Sequence, residues 1–208
     1  MNLKYYYWYF PKVLPERFCD DVIKYAKSQK ELPALTGSYK QDTIKEEELL
    51  DLKKNKRDSN IVWLDEKWIY KELHPYINIA NQNSGWNFQW DFSEQCQFTK
   101  YELNQYYGWH CDSFEEPYPM DSNNINYRGK IRKLSMTVCL SEEKDYKGGE
   151  FEFQPRSQDD PMITLECKEV RQKGSIVVFP SFVWHRVKPI TEGARYSLVM
   201  WSLGRPFI

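Results

Sequence analysis

The chain has 208 residues, 29 Lys and Arg against 30 Asp and Glu, a net charge of −1, and 41% hydrophobic and 16% aromatic residues. That length fits one domain with a substantial core. The even charge balance excludes bulk attraction to nucleic acid or to an anionic membrane, and no apolar run approaches the roughly 18 residues a membrane span needs.

In chain order, Met1 to Phe10 is aromatic and polar, without the basic and then apolar regions of a secretory signal. Leu14-Pro15-Glu16 reads as a helix start. Phe18, Val22, Ile23 and Ala26 then recur at helical spacing to about residue 29. Residues 36–60 are polar and charged and are expected to form a loop or mobile flap. Within them the cluster Lys53-Lys54-Lys56-Arg57 is expected to be a solvated face balanced by Glu46-Glu47-Glu48. Asp65 is placed to cap a second helix with Trp68, Ile69, Leu73, Tyr76, Ile77 and Ala80 along one side, and Pro75 to kink or restart it.

From Trp86 the pattern changes to short aromatic and β-branched runs: 87–92, 95–101, 134–140, 150–154, 162–167, 175–179 and 195–202. Turn signals such as Lys147-Gly148-Gly149, Gln172-Lys173-Gly174 and Thr191-Glu192-Gly193 separate them. Helices followed by many short strands imply a mainly β, α+β architecture: helical support over about 1–85 and a β-core over about 86–208, within a single domain 1–208. The longest loops expected are 113–128 and 155–161, the first placed where a substrate lid would be useful. Five cysteines (19, 96, 111, 139 and 167) with no CxxC argue against a disulfide framework or zinc ribbon. They favour a reducing, cytoplasmic setting.

Only His74, His110 and His185 are available for histidine chemistry. In an extended segment residues two apart share a face, so His110 and Asp112 project together. His185, beyond the run 175–179 and Pro180-Ser181, is the natural third ligand. Two His and one carboxylate on one face of a metal leave three positions open, the pattern of non-haem iron(II) oxygenases. His-x-Asp alone is common by chance, and His74 reads as structural. Arg195, ten residues beyond His185 in an otherwise apolar strand, shifts the balance. A guanidinium turned inward needs a carboxylate, either a structural acid or a bound one. Ser197 shares its face and can add a hydroxyl.

These residues are similar in order and spacing to the 2-oxoglutarate/Fe(II) oxygenases, and among them to the prolyl 4-hydroxylase-like group. The resemblance runs from about Gln95 to the end. It is carried by Tyr101, His110-x-Asp112, Lys133-Leu134-Ser135 leading to Leu140, and Gly148-Gly149-Glu150 with Phe153. Lys173-Gly174-Ser175 leading to Phe179-Pro180, His185, Arg195 and Trp201 complete it. Two departures stand out. Asn104 takes a usual Gly position, which Asn's tolerance of left-handed geometry permits. Cys139 stands where Tyr is common.

The resemblance implies a double-stranded β-helix (jelly-roll, cupin-like) core. It implies iron(II) on His110, Asp112 and His185, and 2-oxoglutarate with its far carboxylate on Arg195. Oxygen would be the second co-substrate and ascorbate an accessory reductant. Tyr101 either donates to 2-oxoglutarate or is an ordinary half-buried strand aromatic. The implied reaction is hydroxylation of a C–H bond with release of succinate and CO2, on a peptidyl proline. Alternatives are a free amino acid or other small molecule and, from another class, a non-catalytic β-barrel binding protein. No nucleic-acid or membrane partner is expected.

Overall fold

The structure is a computed structural model that describes residues 3–36, 39–155 and 163–207. Its elements in chain order are β1 (Trp8–Phe10), α1 (Glu16–Lys27), β2 (Leu32–Pro33), α2 (Glu46–Asn55), β3 (Arg57–Asp58), β4 (Asn60–Leu64) and α3 (Lys67–Asn83). Strands then follow one another: β5 (Phe92–Ser93), β6 (Cys96–Tyr101), β7 (Tyr106–His110), β8 (Ile131–Cys139), β9 (Tyr146–Gly148), β10 (Phe151–Gln154) and β11 (Leu165–Glu166). The last four are β12 (Ile176–Pro180), β13 (Trp184–Val187), β14 (Ile190–Gly193) and β15 (Arg195–Gly204).

The larger antiparallel sheet runs β1-β12-β8-β15-β6-β4-β2, with β5 also on β15. The smaller runs β11-β10-β13-β7-β3, and β14 pairs β9. Together they form the jelly-roll that the family resemblance implies, with α1 and α3 against the larger sheet.

Period-two alternation decides which side chains meet the helices and which meet the second sheet. In β8, Leu134, Met136 and Val138 join Phe98, Ile176, Val178, Leu198 and Met200 in one core. Cys19, Val22 and Ala26 of α1 and Ile69, Leu73, Ile77 and Ala80 of α3 close that core from outside. Each large aliphatic side chain so buried contributes roughly 1.5–3 kcal/mol. The alternate residues face inward. Tyr101, Cys139, Phe151, Phe153, Val177, Phe179 and Val187 form a second, inner core, and Gln97, Thr99, Thr137, Ser197 and Arg195 line a pocket beside it.

The first 85 residues are more than helical support, because β1, β2 and β4 extend the larger sheet and β3 extends the smaller. The expected loop or flap over 36–60 is corrected in its second half. Glu46–Asn55 is a helix whose cap is closed by the Glu48 carboxylate accepting from Lys45 N at 2.9 Å. Three acids in the first turn and Lys53 and Lys54 in the last suit the helix dipole.

Asp65 does not cap α3. The cap position is Glu66, which makes no side-chain cap bond, and Asp65 accepts from Tyr70 Oη at 3.1 Å instead. Pro75 sits inside α3 without ending it, since Leu73 and Ile77 on either side are held in the core. The expected strand over 87–92 is also corrected, as only Phe92 pairs. The Asn81 amide bonds both Phe88 N and Phe88 O at 2.9 Å, taking the place of a ladder. The 162–167 run pairs only at Leu165 and Glu166. Met162 and all of the expected 155–161 loop except Pro155 lie outside the described residues.

Gly193 ends β14 with φ +71°, and a Cβ there would overlap the carbonyl oxygen of Asp145. Strain of this kind costs about 1–3 kcal/mol. Gly193→Ala is expected to lower the urea midpoint accordingly, and an unchanged midpoint would show that the turn into β15 does not need glycine.

Candidate metal centre

The smaller sheet places two histidines opposite each other. β13 and β7 are antiparallel with His185 and His110 as Cα partners, and the ring centroids are 4.1 Å apart. Asp112 lies just past the end of β7. Its backbone N and that of Ser113 both donate to Ser181 O, at 2.8 and 2.9 Å, which turns its carboxylate back toward the rings. His110 Nε2 stands 3.7 Å from Asp112 Oδ1, and His185 Nε2 stands 3.6 Å from Oδ2.

Hydrogen bonding settles what these atoms present. His110 Nδ1 meets Gly108 O at 2.8 Å and His185 Nδ1 meets Val183 O at 2.9 Å. A carbonyl oxygen only accepts, so each Nδ1 carries a proton, and in the neutral ring the lone pair is then on Nε2. Burial first, then the neighbouring His185, holds the His110 pKa well below the ordinary imidazole value, so the neutral form prevails. Burial alone would raise the Asp112 pKa. The adjacent His185, His110 and Arg132 and the Ser135 hydroxyl, which donates to Oδ2 at 2.7 Å, outweigh it and leave the pKa lowered. Two lone pairs and a carboxylate therefore face one another in a buried space. Such a donor set fits a divalent cation, and ligand atoms of all three residues lie within 4.8 Å of one another.

Arg195 opens β15 at only 1% exposure. It lies opposite Tyr101 in the β6–β15 ladder, its guanidinium 5.7 Å from the phenol ring centroid. Tyr146 is a hydrogen-bonding neighbour, yet Nη2 is buried with no partner among the described residues. Among the described residues no carboxylate forms an ion pair with it, so the structural-acid alternative finds no acid. Leaving such a group unpaired is costly unless a bound anion meets it. Ser197 shares the pocket, as do Tyr101, Thr99 and Thr137. Among the expected site residues, all six come to one pocket: His110, Asp112, His185, Arg195, Tyr101 and Ser197.

His74 stays apart, with Nε2 on Ser93 Oγ at 3.1 Å. Asn104 adopts φ +67° and so keeps the turn a glycine would make. Cys139 donates its thiol to Ser141 O at 3.3 Å, and burial pushes its pKa up.

Arg57 is the main residue that sequence reasoning misplaced. It is 5% exposed rather than solvated and lines the same pocket. The available signal was the alternation Arg57, Ser59, Ile61, which marks one face of an extended segment.

A second unforeseen group is the pair Arg132–Glu94. The guanidinium donates through Nε and Nη2 at 2.8 and 2.6 Å and lies 3.9 Å from the Trp201 ring centroid. Tyr118 Oη of the 113–128 loop donates to the same carboxylate at 2.9 Å. Phe114 brings its ring to 5.1 Å from the guanidinium.

A jelly-roll with two His, one Asp and an unpaired inner Arg defines the class of non-haem iron oxygenases. The family comparison agrees. Residues 96–203, just over half of the chain, match the model of the 2OG-Fe(II) oxygenase superfamily, and the chain belongs to that superfamily. A PKHD-type hydroxylase of Synechococcus sp. (strain CC9902) is 36% identical over 101 residues, 48% of this chain and 37% of that protein. One of Gloeothece citriformis is 34% identical over 104 residues, 50% of this chain and 40% of that protein. The matches thus span about two fifths of these relatives' length. Among solved structures, a Pseudomonas putida prolyl-4-hydroxylase superposes with TM-score 0.66 at 18% identity, covering 98% of this chain and 95% of that one. A viral collagen prolyl hydroxylase of Paramecium Bursaria Chlorella virus-1 does so at 0.60 and 18%, covering 97% of each. Both share the fold.

Removing one partner of a buried ion pair costs roughly 3–5 kcal/mol. Glu94→Leu strands Arg132 and frees Tyr118, so it should lower stability in urea by about that amount. A loss under about 1 kcal/mol would place the pair among weak surface contacts.

Proposed function

We propose that the chain is an iron(II)- and 2-oxoglutarate-dependent dioxygenase that hydroxylates a C–H bond with release of succinate and CO2. The observation that carries this reading is the pocket's double demand: two imidazole lone pairs beside a carboxylate, and an inner guanidinium with a free Nη2. The first is met by a divalent metal and the second by a dicarboxylate. When bound, iron and 2-oxoglutarate supply the oxygen activation and the oxidising equivalents.

The chain's own groups bind, orient and exclude. His110 and His185 offer Nε2, their aim held by the Nδ1–H bonds to Gly108 O and Val183 O. Asp112 offers one oxygen while Ser135 holds Oδ2. Its presence at the carboxylate position suits hydroxylation; related halogenases leave that position small for halide. Arg195 pairs with the far carboxylate of the co-substrate, and Tyr101 and Ser197 donate their hydroxyls toward it. Phe151, Phe153 and Phe179 surround His185, with centroids 5.6, 6.3 and 4.6 Å away, and keep water from that side. Trp201 Nε1, buried with no partner among the described residues, offers a donor on the pocket wall to a substrate carbonyl. Ascorbate is proposed as an accessory reductant.

A peptidyl proline is the proposed substrate. Support comes from solved structures of this fold named as prolyl hydroxylases, one of them from Trichoplax adhaerens in complex with a hypoxia inducible factor peptide fragment. Succinate release with proline-containing peptides tests the substrate; release with free amino acids instead would replace it with a small molecule. If the protein binds neither iron nor 2-oxoglutarate without oxygen, it is a non-catalytic binding protein.

His110→Ala, Asp112→Ala and His185→Ala should each abolish iron-dependent succinate formation, and wild-type turnover in any one would remove that residue from the ligand set. Arg195→Ala should weaken 2-oxoglutarate binding by two orders of magnitude or more, as loss of a buried charge-assisted contact of roughly 3 kcal/mol implies, while leaving iron affinity nearly intact. Calorimetric titration of each ligand in the absence of oxygen reads both, and an unchanged 2-oxoglutarate Kd would contradict the role given to Arg195.

A further inference from the structure

The two histidines are not held alike. His185 is wedged among Phe151, Phe153 and Phe179. Among the described residues the ring contacts of His110 are Tyr107 and His185 alone. Its single hydrogen bond, from Nδ1 to Gly108 O, fixes one atom of the imidazole but not the tilt of its plane. That tilt is set by Tyr107, whose ring stacks on His110 at 3.4 Å and 12°.

Tyr107 is in turn packed by Arg57, whose guanidinium carbon lies 4.4 Å from its ring centroid. Arg57 is itself pinned, with Nε donating to Ser59 Oγ at 2.9 Å and Nη2 to Gln97 Oε1 at 2.7 Å. The backbone locks the same register. Arg57 and Asp58 pair with Tyr107 and Tyr106, Gly108 N donates to Lys56 O at 2.8 Å, and Tyr106 Oη donates to Lys54 O at 2.6 Å. A Cβ at Gly108 would stand 3.1 Å from Lys56 O, so the glycine permits this close approach.

We propose that Arg57 is a positioning residue for the metal centre: it holds Tyr107 against His110 and thereby sets the plane in which His110 Nε2 meets the metal. The metal's affinity then depends on the α2–β3 segment, far from the ligands in sequence. This rests on the iron-site reading above.

The test is titration of the purified full chain, without oxygen, with cobalt(II) as a spectroscopic stand-in for iron(II). Its visible absorption reports affinity and ligand geometry independently of turnover. Removing the partner of a metal-ligating histidine commonly costs 10- to 100-fold in metal affinity. Arg57→Ala is expected to weaken cobalt(II) binding about 10-fold or more and to alter the visible spectrum. Arg57→Lys, which keeps the charge but loses the planar fork, should recover only part. Because Arg57 acts through Tyr107, Arg57→Ala should cost little more in a Tyr107→Leu background, whereas a merely structural role would cost the same in both.

Wild-type affinity and spectrum in Arg57→Ala, or full additivity in the cycle, would overturn the inference while leaving the iron site standing. If Arg57→Ala does not fold, Arg57→Lys decides: several-fold weaker binding supports the role and wild-type binding overturns it. Failure of the unsubstituted chain to bind cobalt(II) or iron(II) would overturn the iron-site reading and this inference with it.

Discussion

Two imidazoles and a carboxylate are gathered with their ligand atoms within 4.8 Å of one another between the sheets. Bare, that arrangement repels itself, and nearly every nearby contact acts to stop it from relaxing. Each Nδ1 proton is tied to the carbonyl two residues back along the chain. The antiparallel register sets the histidines opposite each other. Asp112 is held at its backbone by Ser181 O and at its carboxylate by Ser135, whose hydroxyl also meets Ser181 Oγ at 2.9 Å. A site built this way is preorganised, so little ordering remains to be done when a cation arrives.

Such a polar interior is expensive, and the architecture offsets the cost by dividing labour between the faces of one sheet. Residues of β8 and β15 that point outward are the apolar ones, and α1 and α3 seal them. Those that point inward can then be Ser135, bonded to Asp112, and Thr137, Ser197 and Arg195 on the pocket wall without forfeiting the core. The same alternation gives Arg195 its isolation. It enters from the larger sheet into a pocket where, among the described residues, the one lining carboxylate is Asp112, already engaged by Ser135 and beside two imidazoles. The guanidinium therefore waits for a ligand rather than closing a structural bridge.

The segments expected to serve as a flap and a lid help to hold the centre. The α2–β3 segment sends Arg57 into the pocket wall and clamps the backbone of β7. The 113–128 loop is tied by Tyr118 and Phe114 to Arg132 and Glu94, beside Trp201. Both are polar stretches with few apolar residues to mark a buried face, so the first reads as solvated and the second as a lid. Their side chains are instead placed by partners distant in sequence, as Arg57 is by Gln97, 40 residues on, and Tyr118 by Glu94, 24 residues back.

The amino-acid order by itself determined the chemistry of the centre. His110 and Asp112 share a face because a strand alternates, and Asn104 could replace glycine because its side chain tolerates φ +67°. Arg195 needed an anionic partner because a guanidinium in an apolar strand cannot stay bare. The chain order also carried the mainly β architecture, since turn residues and β-branched runs are local signals. Only the tertiary structure decided that His185 faces His110 across a ladder, that no carboxylate among the described residues pairs with Arg195, and that Tyr107 and Gln97 are the partners that bury Arg57. Those outcomes depend on which distant strands pair and in what register. Pairing of that kind is settled by the fit of the whole core and leaves no periodic trace in any one segment.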